Sequence, residues 1–87
     1  TKMIEFDPEK DRKNISKHGI SLRRARDLEV VVHFPDQRFT DGRFRAYGTI
    51  DEKYYCLAYV IRNGLIRAIS LRRAHDYEVY DHVKKAH

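Results

Sequence analysis

The sequence predicts an α+β fold, and three observations carry that prediction. Apolar and β-branched runs recur between Val30 and Leu71, separated by turn residues at Pro35-Asp36, Asp51-Glu52-Lys53 and Asn63-Gly64. A short strand-like segment and two helix-like segments come before these runs, and one amphipathic segment comes after. Helices segregated from a strand meander belong to an α+β domain rather than to alternating βαβ units. The expectation is one small domain over residues 1–87: an N-terminal strand and two helices, an antiparallel sheet meander, and a C-terminal helix.

Taken in order, Met3-Ile4-Glu5-Phe6 alternates as an edge or terminal strand does. Asp7 can cap a helix with Pro8 at its first position, where the missing N–H costs nothing, and Gly19 is a natural stop after His18. Ile15 is the one strongly apolar residue of that helix, so Glu9, Lys10, Asp11, Arg12, Lys13, Asn14 and Lys17 are expected to be solvated or to face a partner. Ser21 caps a second, short helix from Leu22 to about Leu28, with Leu22, Ala25 and Leu28 on one face. Its arginines, Arg23, Arg24 and Arg26, suit a solvated surface or a polyanion contact.

Val30 to Phe34 reads as a strand ended by Pro35-Asp36. From Arg43 to Ile50 alternation puts Phe44, Ala46, Gly48 and Ile50 on a core face and Arg43, Arg45, Tyr47 and Thr49 on a basic, aromatic one. Tyr54 to Arg62 is apolar on both faces, as a central strand is. Asn63-Gly64 is a two-residue hairpin signal, because both residue types accept the positive φ of a type I′ turn. The strand it opens, Leu65 to Arg72, carries Arg67, Ser70 and Arg72. The last helix is expected from about Arg73 to Lys85, with Tyr77, Tyr80, Val83 and Ala86 as its apolar stripe, Val79 alongside, and His75, Glu78 and His82 sharing another face.

Composition narrows the function. Eighteen Lys and Arg against 13 Asp and Glu give a net charge of +5, which biases the chain toward nucleic acid or an acidic protein. Cys56 stands alone in an apolar run, so neither an intrachain disulfide nor a cysteine metal cage is available. No run is long enough to span a bilayer and no signal pattern opens the chain, which predicts a soluble cytoplasmic protein without membrane contact.

Two residue sets could carry chemistry. Arg43, Arg45, Arg62, Arg67, Arg72 and Arg73 lie on or beside the sheet among Tyr47, Tyr54, Tyr55 and Tyr59. Guanidinium groups bind phosphate and aromatic rings stack on bases, which suits single-stranded RNA, although the tyrosines also suit sheet packing. His18, His33, His75, Glu78, His82 and His87 could move protons. Metal-free RNA cleavage needs a base for the 2′-OH, an acid for the leaving 5′-oxygen and cations for the phosphorane charge. His75 and His82 are spaced too widely for a His-x-x-x-His metal grip, so no metal and no cofactor are expected. Strand parity sets a condition: Ser70 and Arg72 face one side and Arg67 the other unless a bulge intervenes.

Phe6-Asp7-Pro8, Lys10, Asn14, Lys17-His18-Gly19-Ile20-Ser21 and Ala25 form one motif, and Arg67, Ile69-Ser70, Arg72, Ala74 and Glu78 another. Together they resemble the BrnT family, the toxin half of a bacterial type II toxin-antitoxin pair. The resemblance implies a RelE-like fold, an endoribonuclease that arrests translation, and a BrnA-type antitoxin that neutralises it. It further implies that operator DNA is met only through the toxin-antitoxin complex, with a dimer or a heterotetramer as possible assemblies. Lys17, His18, Arg67, Ser70, Arg72 and Glu78 match the family motif by position; His82 stands where the family often has tyrosine, and Leu22 where it has an aromatic residue.

The expected catalytic set is therefore Arg67, Arg72, Glu78, His18 and His82, with Lys17, Ser70, Arg73, His75, Arg45 and Tyr47 binding substrate. The alternative is a non-enzymatic basic module that docks an acidic antitoxin or nucleic acid and acts in transcriptional autoregulation. A further option is that many of the motif residues hold the fold, with Asn14, Glu78 and Arg72 forming buried ion pairs.

Overall fold

The computed structural model describes residues 3–85. Ala86, expected in the last apolar stripe, and His87, expected among the proton carriers, lie outside the described residues. The chain forms β1 (Ile4–Glu5), α1 (Pro8–His18), a 3₁₀ helix (Leu22–Asp27), β2 (Glu29–Pro35), β3 (Phe44–Ile50), β4 (Lys53–Arg62) and β5 (Leu65–Arg73). It closes with α2 (Asp76–Val79), which continues as a π-helical turn, Tyr80–Lys84. The sheet order is β1-β5-β4-β3-β2, so the doubly apolar β4 is central as expected. Strands β2 to β5 form the antiparallel meander, whereas β1 joins β5 in parallel.

The helix ends follow local chemistry. The Asp7 side chain accepts from the Glu9 N–H at 2.8 Å, and Gly19 closes α1 at φ 73°. Asn63 and Gly64 both take positive φ in the β4–β5 turn, as the type I′ geometry requires. Gly48 has a different reason to be glycine: a Cβ there would lie 2.2 Å from the Glu29 carbonyl oxygen of the adjoining strand. No side chain fits that approach.

One face of the sheet, with Ala46, Leu57, Ala68 and Leu71, is buried under Leu22, Ala25 and Leu28. The expected short helix is a 3₁₀ turn because its apolar residues recur every third position, where a three-residue turn superimposes them. On the opposite face Tyr47 and Cys56 pack beneath Val79 and Val83.

Three expectations change. First, α1 does not dock through Ile15, which is 46% exposed; it docks through Asn14, which is 5% exposed. Strand β1 pairs only with Ile66 and Arg67, so the outer edge of β5 beyond them has no strand partner from β1. Asn14 fills that place: its Nδ2 donates to the Leu71 and Ile20 carbonyls at 2.8 Å, and its Oδ1 accepts from the Leu71 N–H at 3.1 Å. Second, the last helix starts at Asp76 rather than Arg73, because Arg73 is still paired with Tyr55 and the Ala74 N–H donates to the Tyr54 carbonyl. Its inner face holds Glu78, Val79 and Val83, while Tyr77 and Tyr80 point outward at 66% and 59% exposure. Third, β5 carries a bulge: Ala58 pairs with Ser70 but Tyr59 pairs with Ala68, leaving Ile69 as the extra residue. The extra residue resets parity, so Arg67, Ser70 and Arg72 all lie on the face opposite Ala68 and Leu71.

Candidate functional site

Asn14 sets the geometry. By fixing α1 against Leu71 it leaves Lys10, Lys13 and Lys17, spaced three and four residues apart, along the side of the helix that borders Ser70 and Arg72. The result is a groove of about 350 Å³ between α1 and β5, with His18 at its end. Five of its lining residues carry cations or imidazole, and none is a carboxylate. Burial, then Lys17 and Arg72, push the His18 imidazole below its usual range, which favours the neutral ring.

Arg72 is held from behind. Its Nη1 and Nη2 donate to Glu78 Oε1 at 2.7 Å and Oε2 at 2.8 Å, and Nη1 also donates to the Arg73 carbonyl at 3.1 Å. A guanidinium has five N–H donors, so these bonds leave Nε–H and one Nη2–H for a ligand. Glu78, 4% exposed, also accepts from Tyr47 Oη–H at 2.9 Å and from the His75 N–H at 2.9 Å. Hydrogen bonding to Arg72 carries its carboxyl to about 2, against the opposing effect of burial. The Tyr47 hydroxyl, pushed up by burial, takes a bond from Arg45 Nη1 at 3.0 Å.

The network continues to a second buried carboxylate. Arg45 Nε lies 3.4 Å from Asp36, which is 3% exposed and receives Arg38 Nε at 2.9 Å and Nη2 at 2.8 Å. Those bonds take the Asp36 carboxyl to about 2. Glu78 thus orients Arg72 through two hydrogen bonds, whereas Arg45 meets Asp36 only as an ion pair, its buried Nε making no hydrogen bond.

Of the expected site residues, Lys17, His18, Ser70 and Arg72 share the groove, and Glu78, Tyr47 and Arg45 lie behind Arg72. Tyr47 is fully buried, so it offers no ring to a base; the supposed basic, aromatic face of β3 is a second core. Glu78 spends its oxygens on four donors and is not placed to take a proton from a substrate. The His82 ring stacks on Tyr47 and lies tilted against Phe34, at 5.1 Å from each, and His75 stacks on Tyr77 at 5.5 Å; neither lines the groove. Arg73 projects from the other face of β5, over Tyr55. Arg67 lines a neighbouring groove and pairs with Glu5 at 3.4 Å. His33 lines an apolar hollow of about 280 Å³ with Leu28, Val30 and Tyr59, a place without charge to hold phosphate.

Lys13 and Asp36 are additions that the residue patterns did not single out. Lys13 follows from the spacing of Lys10 and Lys17 once one side of α1 is known to be inward. Asp36 had no local signal, because an Asp after Pro35 reads as a turn.

Comparison with known proteins supplies a family and a shared fold. The family model described as "Ribonuclease toxin, BrnT, of type II toxin-antitoxin system" matches residues 6–78. No curated protein matches. Among solved structures, the 1.1 Å crystal structure of the Brucella abortus ribonuclease toxin BrnT superimposes with a TM-score of 0.73 at 22% identity, over 87% of this chain and 100% of that one. That likeness establishes a shared fold.

Proposed function

We propose, on the premise that the chain belongs to the BrnT family of ribonuclease toxins of type II toxin-antitoxin systems, that it cleaves RNA in the groove between α1 and β5. As a member it has RNA as substrate and an antitoxin as partner. The observation that carries the site is the convergence of Lys13, Lys17 and His18 from α1 with Ser70 and the Glu78-held Arg72 from β5.

The remaining donors of Arg72 and the Ser70 hydroxyl bind the non-bridging oxygens of the scissile phosphate. Neutral His18 takes the proton of the ribose 2′-OH, and the 2′-oxygen attacks phosphorus. The bond to the 5′-oxygen breaks, and a groove lysine ammonium gives the leaving oxygen its proton. Products are a 2′,3′-cyclic phosphate and a 5′-hydroxyl. Arg72 and the lysines offset the charge that builds on phosphorus, fixed in place before the reaction starts. Glu78 is a positioning residue: it aims Arg72. The chemistry needs no metal, and the cationic lining suits phosphate rather than a metal ion.

The assembly follows the family logic: a BrnA-type antitoxin neutralises the toxin in the cytoplasm, and a dimeric or heterotetrameric complex meets operator DNA through the antitoxin. Among the described residues no helix is long and apolar enough to cross a membrane. The test is incubation of purified protein with single-stranded RNA in EDTA. Strand cleavage with cyclic-phosphate ends is expected, and Arg72→Ala should slow it on the order of 10²-fold or more. Intact RNA, or cleavage that requires added metal, refutes the mechanism.

A further inference from the structure

Arg67 and Arg72 share a face of β5, yet they do not share a groove. The rise of about 3.3 Å per residue puts them roughly 15 Å apart along the strand, further than one phosphate group reaches. Arg67 instead lines a second groove, of about 310 Å³, with Lys10, Arg43, Arg62, Ile69 and the carboxylate of Asp41. Lys10 and Ile69 line both grooves, so the two adjoin at the bulge. Asp41 bonds to Arg43 at 3.1 Å and Glu5 pairs with Arg67, which leaves Lys10 and Arg62 without a described ion-pair partner. The second groove therefore keeps a net positive charge after its own carboxylates are counted.

We propose that this second groove is a phosphate subsite for the same RNA strand, engaging a backbone phosphate a short distance from the scissile one. The inference rests on the α1–β5 groove as the cleavage site and adds the class of substrate: a single strand long enough to cross Lys10, rather than a dinucleotide. Adjacency and charge favour an RNA backbone, since one polyanion can run from Arg72 past Lys10 to Arg62 with a cation available at each step. The bulge at Ile69 is what makes the track one-sided. In a regular strand Arg67 would face the aliphatic core instead.

Arg62 is exposed at the end of β4, so Arg62→Gln tests the subsite without a folding cost. The probes are a 2′-deoxy-substituted oligonucleotide that resists cleavage, for affinity against salt, and two cleavable RNAs, one long and one dinucleotide. Arg62→Gln should lower affinity for the long oligonucleotide several-fold and reduce the slope of log K against log salt by about 0.7, one single-strand phosphate contact. Its loss of cleavage efficiency should be confined to the long RNA. Lys17→Gln should weaken long and short substrates alike. Equal effects of Arg62→Gln on both lengths, or none on either, overturn the subsite while an active Lys17→Gln contrast leaves the cleavage site standing. Loss of antitoxin capture with unchanged RNA affinity also overturns it and assigns the groove to protein docking. If neither variant alters RNA binding, the cleavage site itself falls, and the subsite with it.

Discussion

On one face of the sheet Leu57 and Leu71 lie under Leu22, Ala25 and Leu28, and the cover is aliphatic. On the other face Tyr47 and Cys56 share their cover between Val79, Val83 and the carboxylate of Glu78. The first face needs only area removed from water, and no single partner is specified there. The second carries a desolvated anion whose cost is met only when Arg72, Tyr47 and the His75 N–H are all in position. Orientation comes from the second face. Aliphatic packing holds the sheet, while the polar core holds one groove-lining guanidinium by two of its edges and leaves two of its N–H donors unspent.

The largest expected effect tests the aliphatic face. Leu71→Ala removes a fully buried side chain and should cost about 3 kcal/mol of stability in a denaturant melt. Cleavage per folded molecule should stay close to wild type; a loss of activity larger than the loss of folded protein would mean that the two faces are not separable.

Glu78→Gln comes next, because it keeps the shape and removes the anion. Stability should fall by about 2 kcal/mol, moderated by the partial exposure of Arg72. Turnover should fall on the order of 10²-fold through a misaimed Arg72. The pH dependence carries a clear sign. The Glu78 carboxyl is lowered from 4.5 to about 2, so its stabilisation is fully present above pH 4.5 and is lost as pH falls toward 2. Glu78→Gln should flatten that part of the acid melt and leave the part due to Asp36, which is lowered from 3.8 to about 2. An acid melt identical to wild type would mean that the Glu78 anion does not stabilise the second face.

The smallest effect belongs to Tyr47→Phe. It deletes one hydroxyl between Arg45 and Glu78 and should cost about 1 kcal/mol, with turnover reduced less than in Glu78→Gln. If Tyr47→Phe is the more damaging for turnover, the hydroxyl acts in the reaction rather than on Arg72.

Much of this was legible in the residues, and for local reasons. Asp7-Pro8 and Gly19 bound α1, Ser21 starts the next turn, and Asn63-Gly64 makes the hairpin, because caps and turns depend on a few neighbouring dihedrals. The two motifs grouped Lys17, His18, Arg67, Ser70, Arg72 and Glu78, and four of these, Lys17, His18, Ser70 and Arg72, line one groove. A buried Glu78–Arg72 ion pair was one of the options the residues offered, and it is present; the places of Tyr47 and His82 were not legible. Alternation places Tyr47 off one core, but it carries no word about whether a helix covers the other side. A helical wheel of the last segment favours Tyr77 and Tyr80 as the buried residues, since it weighs hydrophobicity and cannot weigh an ion pair made with a strand.

By itself, then, the sequence determined the fold class, the ends of most elements, the cationic character of the groove and the family motif, all of which rest on contacts close along the chain or on composition. Tertiary structure decided the rest. The bulge at Ile69 turned Arg67, Ser70 and Arg72 to one side, Asn14 fixed α1 to the Leu71 edge, and Glu78 set the phase of the last helix by reaching Arg72. Asn14 and Glu78 are buried polar groups whose hydrogen-bonding demands are met by residues that only the fold brings near, and the bulge is a matter of pairing between β4 and β5.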